Sequence, residues 1–267
     1  KYGTKAAITD LCVLTGGILW KDADCIIDED RSLTGRTSYF WTRSSDGKEN
    51  VCAVNVHGDL ENFYRFDCKG AVRPVLQSSV IFSQISPNRV RGYNGTEEVE
   101  YGEYPQNAAD SRMQNILKSI YKIGMNKTGR NYTFNSTRAD DYDTKKTVTY
   151  DEYEYQGKKY IRIKANSVFG GKRFLLSNGV KYRNGDYVWV EVSPVKWLID
   201  DRTGILISKK GLVSGIRFLD KGTNYEGDFD RTEMKEYLDR YMLRDLTQTV
   251  TFTRVQDMTP EEKARQK

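Results

Sequence analysis

Catalysis needs a nucleophile, a base or a metal cage, and this 267-residue sequence offers few of the side chains that build them. Its one histidine, His57, sits in the run Val56-His57-Gly58-Asp59. A Ser-His-Asp or Cys-His arrangement holds its imidazole against a third group. A turn tip provides no such hold, so His57 reads as a surface residue. The four cysteines, Cys12, Cys25, Cys52 and Cys68, all lie near the start of the chain without C-x-x-C spacing, which argues against zinc. Asp22, Asp24, Asp28, Glu29 and Asp30 cluster, but not in the order of a calcium loop. Tyr225-Glu226-Gly227-Asp228-Phe229-Asp230 is the densest acidic turn. A glycosidase needs two carboxylates, and here Asp230 is drawn away as a helix cap while nothing names a partner for Glu226. Gly-rich nucleotide loops and H-E-x-x-H are absent. The residues assign no catalytic group, no metal and no cofactor.

Composition bounds the rest. With 38% hydrophobic and 30% charged residues the chain can bury a core and keep a wet surface. Forty-two basic against 37 acidic residues leave +5, gathered into no block, so nucleic acid is not an expected partner. No run approaches the roughly 18 apolar residues of a membrane span. The opening KYGTKAAITD lacks a signal-peptide core. Compartment and oligomeric state stay open.

The best-punctuated stretch is 39–76. Apolar alternation at 39–43, 51–56 and 60–66 is separated by Ser-Ser-Asp-Gly and His-Gly-Asp, and a fourth run covers 71–76. Such turn residues tolerate positive φ, so the pattern predicts a four-strand antiparallel meander. A turn at His57-Gly58 or Gly58-Asp59 sets Cys52 opposite Phe63 or Arg65, with Cys68 on the order of 10–17 Å away at the strand rise. That exceeds disulfide reach, and Cys52 reads as a small buried hydrophobe.

Further elements follow. Residues 6–17 fit a strand or a brief helix. Met113, Ile116, Leu117, Ile120 and Tyr121 recur at helical spacing, with Asp110 to cap and Gly124 to end the helix. Residues 127–147, with Asp140, Asp141 and Asp143, read as a polar surface excursion. A hairpin at 149–155 and 158–164 turns at Gln156-Gly157, and its tyrosines 150, 153, 155 and 160 read as cross-strand pairs. A strand over 187–192 meets Ser193-Pro194, resumes at 195–199, and pairs with 205–208; Pro194 belongs at a bulge or edge. A second helix opens at Asp230 with Glu233, turns Met234, Tyr237, Leu238 and Tyr241 inward, and ends near Asp245. A strand at 247–253 and a mobile tail at 254–267 complete the chain.

Phe40-Trp41-Thr42-Arg43-Ser44 and Gly70-Ala71-Val72-Arg73-Pro74-Val75 resemble the closing signature of an uncharacterised bacterial domain family. That family is placed with the C-type-lectin-like fold of formylglycine-generating enzymes and retroelement variable proteins. Tyr101-Gly102-Glu103-Tyr104-Pro105-Gln106 and Pro194-Val195-Lys196-Trp197 resemble its opening motifs, yet they come later in the chain. A cut through tandem copies gives this order, and so does a circular permutation. Permutation is favoured, because one core built from both halves leaves neither without a partner.

The resemblance implies a loop-rich α+β domain with antiparallel sheets and two main amphipathic helices. Residues 1–78 supply its closing half and 97–253 its opening half, joined by 79–96 in a single domain. It implies non-catalytic recognition of a protein or carbohydrate through surface loops. Asn50, Asn55, Asn62 and Tyr64 match the stretch that varies in the retroelement relatives, while Trp41, Arg43, Arg73 and Trp197 are structural. The alternatives are an enzyme on the formylglycine-generating scaffold, which lacks a plausible cysteine pair here, and a structural module of a surface or phage assembly.

Overall fold

The structure, a computed structural model, describes residues 7–16, 39–45, 50–55, 59–65, 69–77, 90–91, 97–135, 147–166, 173–200, 205–219 and 227–247. Cys25, His57, Cys68, Glu226, the acidic residues at 22–30 and 140–143, and everything beyond Thr247 lie outside them, as does most of 79–96.

The first segment resolves to a helix, α1 (Asp10–Leu14), because the Thr9 side chain accepts from the Cys12 N–H and satisfies one orphan donor of its first turn. Strands β1 (Phe40–Ser45), β2 (Asn50–Val54) and β3 (Leu60–Arg65) pair antiparallel in sequence. Asn50 opposes Arg65 and Val51 opposes Tyr64, the register of a His57-Gly58 turn, before a shift brings Ala53 opposite Glu61. The fourth run departs from the expected meander. It splits into β4 (Lys69–Val72), which lies parallel to β1 with Phe40 opposite Ala71, and β5 (Val75–Gln77), which joins another sheet. Two residues explain the correction. A Cβ on Gly70 would sit 2.6 Å from the Trp41 indole, so only glycine lets β4 close over that ring. Pro74 cannot donate to a ladder, so pairing stops there and the chain changes sheets.

The later strands are β6 (Val90–Arg91), β7 (Glu97–Ala108), β8 (Lys127–Asn135), β9 (Thr147–Tyr155), β10 (Lys158–Lys164), β11 (Phe174–Leu175), β12 (Lys181–Tyr182), β13 (Tyr187–Asp200), β14 (Ile205–Ser208) and β15 (Val213–Arg217). Between β7 and β8 runs α2 (Ser111–Ile123), capped by Asp110 and ended at Gly124, as its sequence predicts. The smaller sheet runs β15-β4-β1-β2-β3; the larger runs β5-β14-β13-β10-β9-β8, with β7 on β13 and β6 on β7. The fold is therefore mixed α+β, dominated by antiparallel sheets, and no described helix is long and apolar enough to cross a membrane.

Residues 127–135 are a strand, not the surface excursion their Asn and Thr content predicts. Tyr132 and Phe134, two apart on one face, meet Tyr104 edge-on at ring separations of 5.9 and 6.3 Å. The last helix is also corrected. Thr232, rather than Asp230, caps α3 (Glu233–Tyr237), and Asp228 caps a 3-10 turn before it. A wide π turn over Leu238–Leu243 then leads into α4 (Arg244–Thr247). The extra residue per turn moves the buried face past Leu238 and Tyr241 to Met242 and Leu246.

One contiguous core draws on both parts of the chain: Leu11, Trp41 and Ala71 join Tyr104, Trp197, Phe218 and Tyr237. Trp41 Nε1 donates to the Ile216 carbonyl at 3.0 Å and Trp197 Nε1 to the Tyr101 carbonyl at 2.8 Å, so each indole fills the core with its polar atom satisfied. Gly102, at φ +67°, presses against the backbone of Leu246, where a Cβ would come within 2.4 Å of its carbonyl oxygen. A smaller cluster of Leu117, Tyr153, Tyr160 and Trp189 lies under α2.

Two outcomes test this packing. Gly70→Ala is expected to lower stability by about 1–3 kcal/mol, the usual cost of overpacking, in a urea melt. Asp245 supplies the second. Its carboxylate is buried, Oδ1 accepts from the Arg244 guanidinium, and Oδ2 has no well-aligned partner. Burial raises its pKa from 3.8 to about 6. The folded chain thus holds this proton more tightly than the unfolded one, so the contribution is full below about pH 4 and is lost as pH rises through 6. Asp245→Asn is expected to gain on wild type between pH 4 and pH 7.5 by on the order of 1–3 kcal/mol in paired urea melts. A constant difference across that range contradicts the assignment.

Candidate functional site: a groove at a gap in the large sheet

Strand β13 organises the site. On one edge it carries β7, from Val190 opposite Ala108 to Leu198 opposite Glu98. Its other edge is shared by two strands in series: β10 covers it as far as Val192, and β14 begins at Trp197. Ser193, Pro194 and Val195 have no ladder neighbour on that side. Pro194 lies where the β7 register shifts, as the missing N–H of a proline requires.

A groove of about 390 Å³ opens there. Its floor is 193–196, one wall is Glu100, Gln106 and Asn107 of β7, and the other is the turn after β14, with Ser208, Lys209, Lys210 and Leu212. Gln106 Nε2 donates to the Ser193 carbonyl, Ser193 Oγ and the Pro194 carbonyl, each at 2.9 Å. One amide thereby secures the exposed backbone of the gap and fixes the floor against β7.

The turn is held from three directions. The Ser208 N–H donates to the Pro74 carbonyl at 2.9 Å, while Arg73 Nε donates to the Ser208 carbonyl at 2.7 Å. The Lys209 N–H reaches the Lys196 carbonyl at 2.9 Å. The Gly211 N–H reaches the Ala7 carbonyl, the Leu212 N–H reaches the Val72 carbonyl, and Thr9 Oγ1 returns a bond to the Leu212 carbonyl at 2.8 Å. A surface turn so bonded presents its lysines from a fixed backbone.

The residues lining the groove include one carboxylate and no histidine or cysteine. Its ionisable lining is Glu100 and three lysines; Lys196 lies 3.9 Å from Glu100, and Lys209 is paired with Glu98 at 2.5 Å. A single carboxylate beside an ammonium is not the two-carboxylate apparatus of a glycosidase. Of the described cysteines, Cys12 and Cys52 are buried, and burial pushes the Cys12 thiol far above its usual range, away from the reactive thiolate. Among the described residues, a buried cluster of titratable groups around Glu152 is paired within itself. Buried Glu152 accepts from Thr128 and Tyr132, each at 2.7 Å, and Arg130 spans Glu152, Glu103 and the Asp245 carbonyl.

The residues singled out by sequence fall into two places. Asn50, Asn55, Asn62 and Tyr64 stand on the β2–β3 hairpin, outside the groove lining. Asn55 is engaged within that hairpin: its Nδ2 donates to Glu61 at 2.6 Å and its Oδ1 accepts from the Asp59 N–H. The side chains of Asn62 and Tyr64 lie outside the described residues. Trp41 and Trp197 are core anchors, and Arg43 is exposed with its guanidinium over the Phe229 ring. Arg73 stacks on Phe40 at 5.3 Å and supports the Lys209-Lys210 turn, although it lies between strands. Sequence reading passed over Gln106 as a positioning residue and Lys209-Lys210 altogether. The available signal was a proline inside an otherwise strictly alternating strand.

Arg73→Met keeps an unbranched apolar stem but removes the guanidinium over Phe40 and leaves the buried Ser208 carbonyl without its charged donor. A loss of about 1–3 kcal/mol is expected in urea melts, and unchanged stability contradicts the structural role.

Comparison with protein-family models, with curated proteins and with solved structures gives no match at a significant level.

Proposed function

We propose that this chain is a non-catalytic recognition module of C-type-lectin-like type, its halves in permuted order, that binds a carbohydrate in the groove at Ser193–Lys196. The observation that carries the reading is a concave site of about 390 Å³ whose backbone is fixed before any ligand arrives. That volume is in the range of small-ligand sites, whereas a protein partner needs a broad face of about 800 Å². The groove carries amide, hydroxyl and ammonium groups on its walls, above the fully packed Val195 and Leu212, and such polar groups are what a polyhydroxylated ring requires. Preorganisation matters here, because a saccharide supplies little apolar area to offset the cost of ordering a loop.

A protein ligand is the second reading, favoured by a different surface. The Arg162 guanidinium lies 3.7 Å from the Tyr187 ring centroid and 4.6 Å from that of Tyr121, and both tyrosines are exposed. Rigid aromatic and arginine groups of this kind are common anchors at protein interfaces.

A glycan array followed by an amide-resolved NMR titration separates the two. Carbohydrate recognition predicts saturable shifts at Ser193, Val195 and Lys196 and at 208–212. Silence across the array, or shifts confined to α2 and Tyr187, contradicts it.

A further inference from the structure

Resting on the carbohydrate reading above, we infer that the ligand of the groove is an anionic saccharide, one carrying a carboxylate or sulfate group, with Lys210 as its charge-recognising residue. The argument comes from which polar capacity remains unspent. Gln106 has given its amide N–H donors to the floor, and Ser193 Oγ has accepted one of them, which leaves the Ser193 hydroxyl proton to donate. Lys209 is occupied by Glu98, and Lys196 stands near Glu100. Lys210, a half-buried residue of the lining, makes no ion pair among the described residues. Lys210 is therefore the charged group of the lining with no carboxylate beside it among the described residues.

Placement strengthens this. Lys210 follows two residues whose backbone groups are bonded to 74 and 196, and precedes two bonded to 7 and 72. Its own carbonyl accepts from Ser208 Oγ at 2.6 Å. A lysine on a free loop loses much of its attraction for an anion to chain entropy and solvent. A lysine on a backbone bonded on both sides loses only side-chain freedom. The lining also carries more ammonium than carboxylate groups, three lysines against Glu100, which lies 3.9 Å from Lys196.

The test uses the whole chain and four probes in calorimetric and NMR titrations: trigalacturonate, its neutral methyl ester, a sulfated galactose oligosaccharide and the same oligosaccharide desulfated. At least one anionic probe is expected to bind tenfold or more tightly than its neutral partner, shifting the amides of Ser193, Val195 and Lys196 and those at 208–212. Its affinity should fall several-fold between 50 and 500 mM NaCl, as screening requires. Which anionic probe wins distinguishes carboxylate from sulfate. Lys210→Gln is expected to lose at least fivefold for that probe while keeping affinity for the neutral one, and Lys122→Gln, on the exposed side of α2, to change neither. Equal binding of charged and neutral partners at the groove overturns the charge inference and leaves carbohydrate recognition standing. Unchanged affinity in Lys210→Gln also overturns it. Failure of all four probes to move the groove amides overturns this inference, and silence across the wider array separately removes the reading beneath it.

Discussion

The structure depends on how the short turn after β14 is tied down. Its Ser208 carbonyl accepts from Arg73, its Leu212 N–H meets the Val72 carbonyl, its Gly211 N–H meets the Ala7 carbonyl, and its Lys209 N–H meets Lys196. Each bond by itself contributes about 1 kcal/mol. Together they join residues from the start of the chain, from the crossover between sheets and from the central strand at one point. The groove exists because that turn stands over the stretch of β13 that neither β10 nor β14 covers.

The same constraint ties the early and late parts of the chain into one core. The chain leaves the small sheet at Arg73-Pro74 and enters the large one as β5, whose partner is β14. The motif at 70–75 thereby has a physical task at nearly every position. Gly70 admits the Trp41 indole, Ala71 and Val72 fill the core, Arg73 supports the turn and Pro74 ends the ladder. The motif at 101–106 does the same on the other side, with Tyr101 receiving Trp197, Gly102 fitting against Leu246, and Gln106 holding the proline bulge. Motifs that read as family markers are, in this chain, the contacts that let strands from both parts share one interior.

Much of this was legible where the cause is local. The Gln156-Gly157 hairpin adopts the two positive φ angles, 51° and 74°, of a two-residue turn, the second of them the one that glycine favours. The caps of α2 and the bulge at Pro194 likewise follow from the chemistry of single residues. The failures share a different cause. The return of β4 to β1, the strand at Tyr132 and Phe134, and the shift of the last helix face to Met242 each depend on a partner far away in sequence. The groove was hidden for the same reason, since no pattern in Lys209-Lys210 foretells that Ala7, Val72 and Pro74 will hold the backbone around it. The β2–β3 hairpin was conspicuous because its turn residues are local signals, which is also why Asn55 is engaged inside it.

Native-state hydrogen exchange of the ligand-free chain tests the central claim most directly. If the turn is preorganised, the amides of Ser208, Lys209, Gly211 and Leu212 exchange as slowly as those of β13 at Trp197 and Ile199. Exchange at the rate of an exposed loop, with β13 still protected, would show that the backbone is not held, and the account of the groove as a preformed site would be wrong.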